Sequence, residues 1–163
     1  ETKLRTYRIN SIKTSIYQSL ELNLMVTVTV KSLSGLKNQI QAGGHTIIAD
    51  EPVNAGGEDE GPDPYSLLLS ALGACTSMTL QLYAQRKGWP LEEIEIVLVH
   101  SKQYVSDCQD CETKIGKVDE IRRRIYLKGN LTEEQQNKLL EIASKCPIHR
   151  TLTGEIKIRD TLV

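Results

Sequence analysis

The sequence predicts an α+β domain of element order βββ-α-ββ-α-β, with two central helices packed on antiparallel sheet. Two kinds of pattern carry this reading. Short alternating apolar stretches occur near the start and again past the middle of the chain. Between and after them lie two segments with helical rather than alternating spacing, the first uncharged from Pro64 to Gln85. With 163 residues the chain can bury a real core. We expect an amino-terminal arm over residues 1–22, where no period is clean, and one domain over residues 23–163.

MVTVTV, residues 25–30, alternates as a half-buried strand should. KNQIQA and HTIIAD flank Gly43-Gly44 and read as a strand pair closed by a glycine turn. EPVNAGGEDEGPDP follows, rich in Gly, Pro and acids, and reads as loop. From Tyr65 the apolar residues cover most of a helix circumference, which places that helix in the middle of the molecule. Gly88 and Pro90 stop it. IEIVLVHS (94–101) and EIRRRIYLKG (120–129) are two further strands, joined by a polar loop holding DCQDCE. Thr132 with Gln135 forms a capping box, opening a second helix that runs through Leu139, Leu140, Ile142 and Ala143 to Cys146. EIKIR, residues 155–159, reads as a last strand.

Twenty basic residues against twenty-one acidic ones leave a net charge of −1, which disfavours nucleic acid or an anionic membrane as partner. Phenylalanine is absent, so the core must be aliphatic. The uncharged stretch is long enough to span a membrane. Ser66, Ser70, Thr76, Ser77, Thr79, Gln81 and Gln85 make it too polar for that, and a buried helix is expected. The first 22 residues hold no continuous apolar h-region. Four cysteines in a chain able to build its own core point to a reducing cytoplasm with free thiols.

Two of those thiols sit in suggestive places. GACTSMT (73–79) sets Cys75 among small and hydroxylated residues, and KCPIHRTL places Cys146 directly before proline, histidine and arginine. Only the thiolate is nucleophilic, and at an ordinary pKa about 3% is ionised at neutral pH. Burial in an apolar helix lowers that fraction, so a reactive Cys75 needs a cation or hydrogen-bond donors. Ser77 and Thr79 are weak local donors, and Ser70, Ala71, Gly73 and Ala74 would admit another helix beside the thiol. Cys75 also suits the core as a small hydrophobe. Cys146 is expected at a helix C-terminus, where the dipole opposes a thiolate; His149 and Arg150 offset it or cap the helix end. Cys108 and Cys111 form a C-x-x-C crowded by Asp107, Asp110 and Glu112, whose charges raise thiol pKa values and argue against redox use. With His100 and an acid they are weak candidates for zinc, against a solvated loop; we expect no metal.

GGEDEGPDPYSLLLSALGACTSMTLQLYAQRKGW and LLEIASKCPIHRTL together resemble the OsmC/Ohr family, osmotically inducible and organic hydroperoxide resistance proteins. The resemblance covers about residues 24–160 and is closest to the OsmC-like branch with an H…DCxxCE loop. It implies an OsmC-like fold in an intertwined homodimer, with two interfacial sites, each drawing on both chains. It also implies a thiol peroxidase that needs no cofactor. Cys75 would be peroxidatic, attacking a small organic hydroperoxide and becoming a sulfenic acid. Cys146 would resolve it as a disulfide, and a dithiol, such as a lipoyl-type group, would reopen that bond. Tyr65, Leu68, Leu72 and Met78 would line the substrate pocket. In the family's best-characterised peroxidases a glutamate lies ten residues before the first cysteine, where this chain has Tyr65. Their activating arginine follows an early strand; Ser34, Gly35, Leu36 and Lys37 occupy that region here, and Lys37 is the candidate cation, although it lacks the guanidinium fork. The alternative function is a non-enzymatic OsmC-like dimer that binds a small apolar ligand or senses oxidants.

Overall fold

A computed structural model describes residues 26–104 and 116–163, so the arm at residues 1–22 and the loop with Cys108 and Cys111 lie outside the described residues. The described residues fall into two compact units, divided between Pro62 and Asp63.

In the first unit, β1 (Val28–Ser32), β2 (Asn38–Ala42) and β3 (His45–Ala49) form an antiparallel meander in that order. Val30 pairs with Ile40, and Ile40 with Ile47. The β2–β3 turn is the expected Gly43-Gly44, with Gly43 at φ +59°, a conformation that glycine adopts without steric cost. β1 begins three residues later than the alternation of MVTVTV suggests, and all five of its residues are exposed.

The acidic stretch after β3 is more ordered than its composition implies. Val53–Ala55 makes a single 3₁₀ turn. Asp50 is buried, and its carboxylate accepts N–H bonds from Glu51 at 2.9 Å, Glu58 at 3.0 Å and Glu60 at 3.3 Å. Burial pushes the Asp50 carboxyl up. The three amide donors and the charge of Lys37 outweigh it and hold the group below the usual carboxylate range. A depressed carboxylate contributes stability that is complete above its unfolded pKa of about 3.9, and that contribution is lost as pH falls through the lower folded value. Asp50→Asn is therefore expected to lower the urea midpoint at neutral pH and to flatten its decline in acid. An unchanged acid slope would show that Asp50 does not carry this linkage.

The second unit opens with α1 (Pro64–Lys87), followed by β4 (Leu91–Tyr104), β5 (Lys117–Gly129), α2 (Glu133–Ala143) and α3 (Pro147–Leu152). The Asp63 side chain caps α1 by accepting from the N–H groups of Tyr65 and Ser66, and Pro64 takes the first helical position. Gly88 ends the helix in the left-handed conformation, as its place in the sequence predicts. β4 and β5 form a long antiparallel ribbon with one irregularity, between Leu91 and Glu93. Gly129 closes it at φ +136°, and a Cβ there would collide with the Pro90 carbonyl. The capping box of Thr132 and Gln135 starts α2 as expected.

α1 packs against β4, α2 and α3. Leu80 and Ala84 of α1 meet Leu139, Ile142 and Ala143 of α2 in the core, with Ile94, Ile125 and Leu127 of the ribbon packed against them. Every one of these is aliphatic; the aromatic contribution is Tyr83 and Trp89 at the margin, edge to face at 5.5 Å.

Three expectations are corrected. α1 is not covered all round: within this chain only the stripe Leu72, Thr76, Leu80 and Ala84 is buried. By length and composition α1 would also pass for a membrane span, but this stripe packs as a core helix does. The second helix does not run to Cys146. It ends at Ala143, and a new helix starts at Pro147. The cause is local, because the residue before a proline is pushed out of the helical region, and Cys146 is extended at φ −61°, ψ 137°. Finally, EIKIR is not a strand. Residues 155–163 form no regular element, and Ile158 is 84% exposed, since no described strand of this chain offers it a ladder.

Candidate active site: a two-thiol centre

Position 76 is the one polar member of the buried stripe of α1, and it organises the centre. Thr76 is fully buried, and its hydroxyl lies 2.8 Å from the Leu72 carbonyl, one of two acceptors for its proton. The same oxygen accepts a 2.7 Å hydrogen bond from Nη1 of Arg123, and Sγ of Cys146 lies 3.7 Å away. A hydroxyl has one proton and two lone pairs, so it can receive Arg123 while donating elsewhere. Arg123 comes from β5, in the inward phase shared with Ile121, Ile125 and Leu127. Burial lowers its pKa from the ordinary value, but a guanidinium starts so high that it stays charged at neutral pH.

Cys75 precedes Thr76 on α1 and is half-buried; Cys146 is 0% exposed. The two thiols are free, and they lie near enough for each to act on the ionisation of the other. They come together because α3 folds back against α1 immediately after the Cys146-Pro147 break. Cys146 caps the start of α3, its sulfur accepting the N–H of His149 at 3.3 Å. The expected C-terminal setting is thus reversed, and amide donors rather than carbonyls face the sulfur.

This geometry separates the two thiols electrostatically. Burial pushes Cys75 up, and the N–H of Ile148 only partly offsets it. Burial acts on Cys146 as well. There the N–H of His149, the Cys75 thiol, the Thr76 hydroxyl and the N–H of Ile148 together outweigh it and bring the group below its ordinary value. The two directions are opposite, so ionisation of the pair favours Cys146 over Cys75. The Thr79 hydroxyl bonds the Cys75 carbonyl oxygen at 2.7 Å and is engaged with the backbone.

The other expected site residues are placed as follows. Lys37 belongs to the first unit and is held by Glu58 at 2.9 Å and Glu60 at 2.6 Å, which raise its pKa. Tyr65 stacks on His100 with ring centroids 4.3 Å apart, and Nε2 of His100 meets Asp119 at 2.7 Å. Leu72 is buried in the stripe, whereas Leu68 and Met78 are 37% and 62% exposed. An open groove of about 530 Å³ lies on another side of α1, lined by Leu69, Gly73, Ala74 and Ser77 with Ile96 and Leu98 of β4, and excludes Leu68, Leu72 and Met78. Of the expected residues, Cys75 and Cys146 are brought together. Arg123 was not among them, although an arginine in the apolar phase of an alternating strand is a sequence signal for an inward-facing charge.

Residues 57–159 match the family model described as OsmC-like protein. No curated protein matches the sequence. Solved structures do. The OsmC-like protein of Mycoplasma pneumoniae superimposes with a TM-score of 0.59 at 22% identity, covering 80% of this chain and 88% of the other. The organic hydroperoxide resistance protein OsmC of Legionella pneumophila gives 0.60 at 16% identity, covering 80% and 90%. The organic hydroperoxide resistance protein OhrB of Bacillus subtilis gives 0.56 at 19% identity, covering 80% and 91%. At these identities the likeness is one of fold. With the family model spanning well over half of its length, the chain belongs to the OsmC-like protein family.

Proposed function

We propose that this protein is a thiol-dependent peroxidase that reduces organic hydroperoxides to alcohols. The observation that carries the reading is that Cys75 and Cys146 lie near enough to act on each other's ionisation, with the half-buried Arg123 bonded to the Thr76 between them and β5. Two relatives in fold bear the name organic hydroperoxide resistance protein, which agrees with it.

In this mechanism Cys75, the more accessible sulfur, is peroxidatic. Its proton passes to Cys146 as its sulfur attacks the distal oxygen of ROOH. The O–O bond breaks, the alkoxide takes a proton and leaves as ROH, and Cys75 becomes a sulfenic acid. Cys146, again a thiolate, attacks that sulfur and expels hydroxide, which leaves as water. A dithiol then reduces the resulting disulfide and is itself oxidised to a disulfide. The balance is ROOH plus dithiol giving ROH, water and oxidised dithiol. Among the described residues of the second unit, Arg123 supplies a cation near the pair, through its bond to Thr76.

A homodimer completes the picture. Leu68, Met78 and Leu82 of α1 and Val28 and Val30 of β1 are exposed in the single chain, and a second copy would cover such apolar surface. A reducing compartment such as the cytoplasm keeps both thiols available.

The test is a non-reducing peptide map after one equivalent of cumene hydroperoxide is added to the reduced protein. A Cys75–Cys146 disulfide is expected within seconds. If both thiols stay free while the peroxide persists, the enzymatic reading fails and a ligand-binding OsmC-like dimer takes its place.

A further inference from the structure

The two sulfurs of the proposed disulfide are not equivalent, and the structure shows what distinguishes them. Cys146 is 0% exposed and Cys75 is half-buried. Arg123 reaches only as far as Thr76, at 2.7 Å, and Thr76 in turn faces Cys146 at 3.7 Å. With Arg123 donating into one lone pair of Thr76, the hydroxyl proton is left to donate, either to the Leu72 carbonyl or to a charged sulfur. The His149 N–H adds a second donor at 3.3 Å. The titratable and charged groups that act on Cys146 include Cys75 of α1 and Arg123 of β5, and His149 and Arg150 follow it on α3.

We infer that Arg123, acting through Thr76, positions Cys146 as the charged sulfur of the pair, so that a thiol reductant opens the disulfide at Cys75 and expels Cys146. This rests on the redox reading above and assigns a direction to its reductive half. In thiol–disulfide exchange the sulfur with the lower thiol pKa leaves faster, and the attacked sulfur must be reachable. Both criteria select the same outcome here. The first thiolate of a dithiol attacks Sγ of Cys75, the S–S bond breaks, and its electron pair goes to Cys146. The second thiol then attacks the mixed disulfide, forms the oxidised dithiol and releases Cys75. Arg123 and Thr76 are positioning residues; neither touches the substrate.

Two measurements test this. In a full-length Cys75→Ser/Cys108→Ser/Cys111→Ser protein, ultraviolet thiolate absorbance titrates Cys146 alone. Arg123→Met is expected to raise its midpoint by about one pH unit, the scale of a neighbouring charge. Arg123→Lys should recover part of the shift, and the near-isosteric Thr76→Val should reproduce it should the arginine variants fold poorly. A midpoint unmoved in Arg123→Met and Thr76→Val overturns the positioning role. Separately, the wild-type disulfide is formed with diamide, which needs no peroxidase activity, opened with 2-mercaptoethanol, quenched in acid and mapped. The adduct is expected on Cys75. An adduct on Cys146 overturns the direction of opening but leaves the peroxidase reading standing. Failure of diamide to link the two cysteines sinks the two-thiol reading and the direction of opening together, while the titration still reads the hold of Arg123 on Cys146.

Discussion

Cys75→Ser is expected to lower hydroperoxide turnover at least about a thousand-fold. An unperturbed thiol is already about 3% thiolate at neutral pH, whereas a serine hydroxyl is essentially never ionised there and cannot be carried to a sulfenic acid. The substitution is nearly isosteric and the site is half-buried, so the fold should survive it. Circular dichroism and the sedimentation profile should match the parent protein. Cys146→Ser makes a different prediction, because the nucleophile remains. One equivalent of peroxide should be consumed, more slowly, since Cys146 no longer accepts the Cys75 proton. A sulfenic-acid probe should then label Cys75. Undiminished turnover in Cys75→Ser, or labelling at Cys108 or Cys111, would remove Cys75 from the chemistry.

Much of the fold was legible because its signals are local. The glycine pair at 43–44, the Thr132–Gln135 capping box and the Gly88 stop each act through the backbone within a few residues. The failures have a common origin in partners that lie outside the local sequence. The alternating isoleucines of EIKIR satisfy a strand pattern, but a strand exists only where another supplies its hydrogen bonds. The all-round apolar character of α1 promises burial on every side, and one chain provides it for a single stripe. At Cys146 one local signal has two structural outcomes. Proline ends a helix that would run past it, but it also suits the first position of a new one, and Pro147 does the second.

The site divides along the same line. Nothing in the spacing of Cys75 and Cys146 shows that they meet; that expectation is implied by the family resemblance. The electrostatics were not legible. A proline-initiated turn converts the surroundings of Cys146 from helix end to helix start and so reverses the sign of the local field. Arg123 is the middle of three consecutive arginines, a run whose composition alone does not distinguish its members. Alternation along β5 necessarily turns the middle one opposite to its neighbours, toward the phase of Ile121 and Ile125.

Leu80→Ala is expected to be the most destabilising single truncation in the second unit. Leu80 is 0% exposed and sits one turn beyond Thr76, against Leu139, Ile142 and Ala143. Removing a fully buried leucine side chain costs about 2–5 kcal/mol, the spread reflecting how far the walls relax into the cavity. In a chain of this size that corresponds to a drop in Tm of roughly 10 °C. The same helix supplies its own contrast. Leu82 is 53% exposed within one chain, so Leu82→Ala should cost far less at concentrations where the protein is monomeric, and should weaken the proposed association between copies. Urea midpoints measured at two protein concentrations separate the effects, because a core cavity acts at any concentration and an interface only where copies meet. The truncation should also reach the thiols. The contact of α1 with α2 fixes the helix that carries Cys75 relative to the chain leading into Cys146, so Leu80→Ala should slow disulfide formation as it loosens that contact. A cost below about 1 kcal/mol would mean that Leu80 does not sit where α1 and α2 close over the core.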